Sequence, residues 1–80
     1  MTFITEITYD RVLSATERAT RRAYIADLIA TGVTDGIVTT PADRPHVGQR
    51  TWSTLEAANN WITYCNTFTP APIYTAVTEV

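Results

Sequence analysis

The sequence contains no lysine, one cysteine and one histidine in 80 residues. Cys65 stands alone, so an internal disulfide is excluded, and with His46 it is too little for a zinc site built from cysteines and histidines. A chain of this length buries only about 60 to 65% of the surface that its unfolded form exposes. Small folds without disulfides or metals gain stability by association, so burial against another subunit is the expected supplement.

Long apolar runs and net positive charge are also missing. No apolar run approaches the ~20 residues that a membrane span requires, and the first six residues lack the basic start and apolar core of a signal peptide. The formal net charge of -2 gives no long-range attraction for nucleic-acid phosphates or anionic lipid. We therefore expect a cytosolic protein, or part of a particle assembled in a cytosol. Neither nucleic acid, membrane nor small-molecule substrate is expected as a partner, and no cofactor is expected.

What the sequence does contain is typical of one globular domain, residues 1–80. Hydrophobic residues make up 45% and charged residues 18%, which indicates a packed core rather than a disordered chain. All six basic residues are arginine, and threonine occurs sixteen times. Arginine suits protein interfaces, from which lysine is depleted, and threonine favours strands. Together these biases indicate a surface that neighbouring subunits cover.

The first half of the chain has the pattern of a strand followed by a helix. Residues 3–8 alternate as a strand does, and Ser14 and Glu17 form the Ser-x-x-Glu capping box that starts a helix. That helix is predicted to reach about Thr31, and Gly32 follows as its C-terminal cap. Seven small or aliphatic residues share one sector of it: Ala15, Ala19, Ala23, Ile25, Ala26, Ile29 and Ala30. We expect this sector to pack on a sheet.

The second half repeats the strand and helix signals. Short strands are predicted at 37–40 and 49–52, on either side of a proline-bounded loop. Ser53 and Glu56 repeat the capping box at the start of a second helix. Two prolines then stop this helix, and residues 73–80 alternate as a closing strand.

The order β-α-β-β-α-β is that of the ferredoxin-like fold. It predicts an α+β domain in which a four-stranded antiparallel sheet carries both helices on one face. The alternative is a β-hairpin with helices in which one short strand is missing, because the run 49–52 is barely long enough for a strand. In the ferredoxin-like arrangement the other face of the sheet meets solvent, a ligand or a second sheet.

The second helix, predicted to run to about Thr67, carries an apolar sector about half its circumference wide. Contact with one small sheet needs less than this, and surplus apolar surface marks protein interfaces. Arginines in and beside the alanine sector of the first helix could reach an acidic partner, and the closing strand could add to another sheet. The predicted partner-binding residues are therefore Arg18, Arg22, Trp52, Trp61, Tyr64, Phe68, Ile73 and Tyr74.

His46 and Cys65 are the remaining candidates for chemistry. His46 lies in a loop with Asp43 and Arg44, and a histidine beside an aspartate can serve as a general base. No nucleophile motif or second carboxylate at a suitable spacing accompanies it, so a loop shaped for a partner is the preferred interpretation. Cys65 falls on the apolar side of the second helix, where a buried structural thiol is expected. No catalytic, cofactor-binding or metal-binding residue is predicted.

Two segments carry a resemblance to a known group of proteins. Residues 50–62, Arg-Thr-Trp-Ser-Thr-Leu-Glu-Ala-Ala-Asn-Asn-Trp-Ile, and residues 66–72, Asn-Thr-Phe-Thr-Pro-Ala-Pro, resemble the C-terminal half of small virion-associated proteins of tailed bacteriophages. The resemblance covers these segments only and carries over no functional residue. It implies a structural or accessory component of a virion, present in the host cytoplasm during assembly.

The expected function is therefore a non-enzymatic structural or assembly role. We expect a minor bacteriophage virion component whose partners are copies of itself or other virion proteins. One alternative is a small dimeric ferredoxin-like enzyme, with a pocket between sheet and helices and His46 as its base. The other is a regulatory module that binds a host protein.

Overall fold

Five regular elements make up the chain, and the computed structural model describes all of its residues, 1–80. They are β1 (Phe3–Thr8), α1 (Ala15–Ala30), β2 (Val47–Trp52), α2 (Leu55–Cys65) and β3 (Tyr74–Glu79). The three strands form one antiparallel sheet in the order β2-β1-β3. The α+β class is confirmed, whereas the predicted four-stranded ferredoxin-like sheet is wrong.

The fourth predicted strand, residues 37–40, is reduced to a single bridge. Thr39 exchanges both backbone hydrogen bonds with Gln49, at 2.9 and 2.8 Å, on the outer side of β2. The pairing does not extend further for two reasons. Gly36, with φ of 76°, turns the chain just before residues 37–40, and Pro41, which has no N–H, follows them. The sheet therefore lacks the edge strand that the pattern predicted.

The other predicted short strand, residues 49–52, is longer in the structure than predicted. The run 49–52 looked barely long enough for a strand, yet β2 spans six residues. It pairs with the whole of β1, from Phe3 opposite Trp52 to Thr8 opposite Val47. The missing strand is therefore 37–40 and not the run that follows the loop.

The antiparallel register puts alternate residues of the sheet on the face that carries the helices. Thr5 lies opposite Arg50 on β2 and Val77 on β3, and residues directly opposite one another share a face. On the same face the indole N–H of the fully buried Trp52 donates to the Thr5 hydroxyl at 2.9 Å. The core on this face consists of Ile7, Tyr9, Ile25, Trp52, Ala58, Trp61 and Cys65. Because α1 and α2 both contribute to it, both helices pack on this face.

α1 begins as predicted but turns a different side towards the core. The Ser14 hydroxyl accepts from the Glu17 N–H at 3.2 Å, and the Glu17 carboxylate accepts from the Ser14 N–H at 2.8 Å, so this capping box is confirmed. The five alanines of the predicted sector are exposed, and the buried residues are Arg21 and Ile25. Long side chains bury more apolar area than alanine methyl groups do, and this decides which side packs.

α2 begins one residue later than predicted. Thr54 is its N-cap, with the hydroxyl accepting the Ala57 N–H at 3.1 Å, so the predicted Ser53-x-x-Glu56 capping box is wrong. The Ser53 N–H instead donates to the Val33 carbonyl oxygen at 2.9 Å. This contact keeps Ser53 in the extended chain that leaves β2, so Thr54 rather than Ser53 caps the helix.

Candidate functional site

The aromatic residues of β2 and α2 are used inside the domain. Trp52 is fully buried and Trp61 is 4% exposed. Tyr64 stacks on Tyr24 of α1 with ring centroids 3.8 Å apart, and Phe68 meets Tyr64 edge-on at 4.7 Å. The wide apolar sector of α2 is therefore occupied by α1 as well as by the sheet. Trp52, Trp61, Tyr64 and Phe68 thus contact other parts of the domain, and their role in binding a partner stays a prediction.

The outer edge of β2 is closed by the chain itself. Gln49 uses both its N–H and its carbonyl oxygen on Thr39. The Val47 N–H donates to the Arg44 carbonyl oxygen at 3.1 Å. Together with the Ser53 contact described above, these bonds leave no continuous run of free backbone along β2 for a further strand.

The outer edge of β3 is open. The Val80 N–H donates to the Thr2 carbonyl oxygen of the chain before β1, at 2.8 Å. Hydrogen-bonded and non-hydrogen-bonded pairs alternate along an antiparallel ladder, so the N–H groups of Thr75, Val77 and Glu79 point away from β1. None of these three groups donates a hydrogen bond within the chain.

Exposed apolar side chains lie at both ends of this open edge. Ile73 is 66% exposed and Tyr74 is 56% exposed at the start of β3, and Val80 is 71% exposed just beyond its end. Ile73 and Tyr74 are the two predicted partner-binding residues at this edge. Their side chains are accessible, as such a role requires.

A cavity of about 310 Å³ opens between α1, β2 and the segment 37–46. Four arginines face it: Arg18, Arg21 and Arg22 from α1 and Arg50 from β2. The remaining lining residues are Ile7, Tyr9, Val12, Leu13, Val38, Thr40, Pro45, His46, Val47, Gly48 and Trp61. No aspartate or glutamate lines the cavity. One wall comes from residues 37–40, the segment that forms a bridge where a strand was predicted.

Arg21 is the buried member of this arginine group, with 3% of its surface exposed. Its guanidinium donates to the Tyr9 hydroxyl at 3.3 Å, to the Glu17 carbonyl oxygen at 3.0 Å and to the Pro70 carbonyl oxygen at 3.2 Å. The guanidinium carbon also lies 5.0 Å from the ring centroid of Phe68, within the range of a cation–π contact. All of these partners are neutral, so no carboxylate compensates the charge of Arg21.

Arg22 and Arg50 meet at one oxygen atom. Each donates from Nη1 to the Gly36 carbonyl oxygen at 3.1 Å, and the guanidinium carbon of Arg50 lies 5.0 Å from the ring centroid of Trp61. Burial lowers the pKa of Arg50 below its ordinary value, and the charge of Arg22 acts in the same direction. Two like charges are thus held side by side, and the Asp35 carboxylate, whose charge acts on Arg50 in the opposite direction, forms no salt bridge with either of them.

Ion pairing elsewhere in the chain does not reach the cavity. The single salt bridge joins Arg11 to Glu17 at 2.8 Å, and neither residue lines the cavity. Arg18 is exposed and donates to the Leu13 carbonyl oxygen at 3.0 Å. The cavity is therefore strongly positive in a chain whose net charge is -2.

Three other ionisable groups lie at or near the cavity. His46 lines it, but no hydrogen bond joins the imidazole ring to Asp43. Cys65 is buried, and burial raises the pKa of its thiol. Burial also raises the pKa of Tyr9 to about 12, so both side chains stay protonated near neutral pH. No three side chains of histidine, cysteine, aspartate or glutamate are grouped so that they could hold a metal ion.

Sequence reasoning found part of this cavity and missed the rest. Arg18, Arg22 and Trp61 were predicted to bind a partner, and all three line the cavity. Arg21 and Arg50 were not predicted. A signal for Arg50 was present, because a tryptophan lies two positions further along the same strand and therefore on the same face. No local pattern marked Arg21, whose carbonyl partner at Pro70 is distant in sequence.

Comparison of the chain with protein-family models, with curated proteins and with solved structures found no match. Neither α1 nor α2 combines the length and the apolar character that a membrane-crossing helix needs. What the protein does must therefore be inferred from its own residues.

Proposed function

We propose that the chain is a non-enzymatic assembly protein that joins neighbouring protein subunits by strand addition at β3. The observation that carries the proposal is the outer edge of this strand, where the N–H groups of Thr75, Val77 and Glu79 lack partners. An extended segment of another subunit that aligns with this edge gains a row of main-chain hydrogen bonds. No catalytic group is needed for such a role.

Two properties of β3 suit it for this role. Edge strands are normally protected by lysine, proline or a bulge, and β3 contains none of these, with Glu79 as its one charged residue. The exposed side chains of Ile73, Tyr74 and Val80 offer a partner apolar surface at both ends of the edge. Their burial would also add to the stability that a domain of 80 residues gains from its own core.

The proposed setting is a virion. The resemblance of segments 50–62 and 66–72 to virion-associated proteins of tailed bacteriophages supports a minor virion component, present in the host cytoplasm while particles assemble. Its partners would be other copies of the chain or other virion proteins. Mass spectrometry of purified particles is expected to detect the chain. Its absence from particles would remove the virion setting and leave strand addition to be tested by itself.

Two matched threonines allow strand addition to be tested. Thr78 of β3 and Thr51 of β2 both lie opposite Ile4 and are both exposed, so Thr78→Lys and Thr51→Lys add the same charge at the same level of the sheet. Lysine on an edge strand opposes pairing with another strand. We expect Thr78→Lys to weaken association strongly and Thr51→Lys to leave it near the wild-type level.

Association is measured in two ways, because the partner is either a second copy or another protein. Sedimentation velocity at increasing concentration detects copies of the chain pairing with one another. Incorporation of tagged protein into particles detects pairing with another virion protein. A wild-type chain that stays monomeric at the highest concentration and does not enter particles would contradict the proposal. Equal weakening by the two lysine variants would contradict it as well.

A further inference from the structure

We propose that the arginine-lined cavity is a binding site for a small organic anion, in which a phosphate or carboxylate group meets the guanidinium groups and an apolar body contacts the rest of the lining. This site goes beyond the proposed assembly role. It lies on the helix-bearing side of the domain, between α1, β2 and the segment 37–46, and shares no residue with the outer edge of β3.

The first support is the concentration of positive charge in the cavity lining, where no arginine forms a salt bridge. Four of the six arginines line one cavity of about 310 Å³, and no acidic side chain lines it. Like charges repel, and the repulsion grows where burial removes water. An anion in the cavity would relieve this repulsion, and a guanidinium fork matches the geometry of carboxylate and phosphate oxygens.

The second support is the way Arg22 and Arg50 share the Gly36 carbonyl oxygen. Because both guanidinium groups donate to this one oxygen, two like charges lie side by side. A guanidinium carries five N–H donors, and the side chains of Arg22 and Arg50 each donate only from Nη1, to that oxygen. The remaining donors of both groups are free to bind an anion. Arg18, which is exposed beside them, adds a third set.

The size and lining of the cavity define the class of ligand. A volume of about 310 Å³ lies at the lower end of the range of about 300 to 1,000 Å³ that is usual for small-molecule sites. Val12, Leu13, Val38, Pro45 and Trp61 give it apolar walls. A bare inorganic ion would make no contact with these apolar walls. An anionic group on a small apolar or aromatic body fits both parts.

The test uses three probes that differ in charge and share a benzene ring: phenyl phosphate, benzoate and benzyl alcohol. Each is titrated into the full chain while two-dimensional NMR follows the Trp61 indole N–H and the arginine Nε–H signals. We expect phenyl phosphate and benzoate to shift these signals with saturation, and the neutral alcohol to do so much more weakly. The order of the two anions shows which oxyanion the site prefers.

Matched variants locate the binding. Arg22→Gln and Arg50→Gln each remove one cavity charge, and we expect each to weaken binding of the preferred anion about tenfold. Arg44→Gln removes an exposed charge outside the cavity and should leave the affinity unchanged. Because Arg50 also contacts Trp61, its variant is checked for folding by its NMR spectrum. Arg22, which is exposed, keeps the test valid if that variant unfolds.

Three outcomes would overturn the proposal. The anions could bind no more tightly than benzyl alcohol, or Arg44→Gln could weaken binding as much as Arg22→Gln does. An acidic peptide could bind at the cavity while both small anions fail, which would make the ligand a protein side chain. Thr78→Lys is expected to leave the affinity for the anion unchanged, so the cavity and the β3 edge are tested separately.

Discussion

Along the outer edge of β2 the chain folds back and pairs with its own backbone, whereas along the outer edge of β3 three successive outward N–H groups stay free. The two strands flank the same central strand and have the same length, so strand length does not explain the difference. What differs is the neighbouring chain. Residues 37–46 pair with the outer edge of β2 through Thr39 and Arg44, whereas no backbone group of the chain pairs with the outer edge of β3.

This difference also accounts for where the cavity lies. Residues 37–40 pair with β2 through the backbone of Thr39 alone, and Val38 and Thr40 become part of the cavity wall. The segment thus closes one edge against other chains and helps to enclose a positive site on the same side of the domain. The domain has a closed edge with a cavity beside it and an open edge available to a partner.

The largest expected effect is a difference in how much side chains of β2 and β3 contribute to the free energy of unfolding. Trp52→Ala removes a fully buried side chain of β2 and its hydrogen bond to Thr5, and should lower the free energy of unfolding by about 3 to 5 kcal/mol. Tyr74→Ala on β3 removes a side chain that is 56% exposed and should change it by less than about 0.5 kcal/mol. Urea unfolding measures both. Similar losses for the two variants would show that β3 is as integral to the fold as β2.

The next effect concerns the buried arginine of the cavity. Arg21→Met keeps most of the side-chain volume but removes the guanidinium that donates to the Tyr9 hydroxyl and to the carbonyl oxygens of Glu17 and Pro70. We expect a loss of about 2 kcal/mol in the free energy of unfolding. Arg18→Met, one turn earlier on α1 and exposed, should cost less than about 0.5 kcal/mol. A loss no larger than that of Arg18→Met would mean that Arg21 is not held by these bonds.

A proline scan sharpens the comparison of the two edges directly. Thr39→Pro removes the N–H that donates to Gln49 beside β2, and should lower the free energy of unfolding by about 1 kcal/mol. Thr75→Pro removes an N–H of β3 that has no partner in the chain, and proline is tolerated at such edge positions. Urea unfolding should show a smaller loss of free energy for Thr75→Pro than for Thr39→Pro. Thr75→Pro should also weaken association through the edge of β3. A larger loss for Thr75→Pro than for Thr39→Pro would contradict the assignment of a closed edge at β2 and an open edge at β3.

The smallest expected effect is a pH dependence of stability that arises at the start of α1, away from both sheet edges. The hydrogen bond from Arg11, followed by that from the Ser14 backbone, lowers the pKa of Glu17 from 4.5 to about 2. The ionised carboxylate therefore stabilises the fold fully above pH 4.5, and this contribution is lost as the pH falls towards about 2. Urea midpoints measured across this interval should fall less in Glu17→Gln than in the wild type. Glu56→Gln, in the first turn of α2, is the control and should keep the wild-type dependence.

Local patterns in the sequence predicted the elements that depend on local contacts. β1 alternates within six residues, and its bounds were predicted correctly. The capping box of Ser14 and Glu17 joins residues three positions apart and was also predicted correctly. At the start of α2, however, Ser53 and Thr54 are both able to cap a helix. The choice between them depends on the Val33 carbonyl oxygen, which the local sequence does not specify.

Features that depend on distant contacts were missed. The alanine sector of α1 looked apolar, but packing was decided by Ile25 and by Arg21, whose guanidinium reaches Pro70. The segment 37–40 has strand-forming residues, but the turn before it and the proline after it limit its pairing to one residue. The cavity follows from both corrections, so sequence patterns predicted some of its residues without predicting their arrangement.

Amide hydrogen exchange tests the assembly role of β3 most directly. Exchange is measured residue by residue in the dispersed chain and in the assembled state, whether that state is an oligomer or a particle. We predict that the amides of Thr75, Val77 and Glu79 exchange fast in the dispersed chain and slowly after assembly, while Gln49, already bonded to Thr39, changes little. Unchanged exchange at these three amides upon assembly would contradict strand addition at β3.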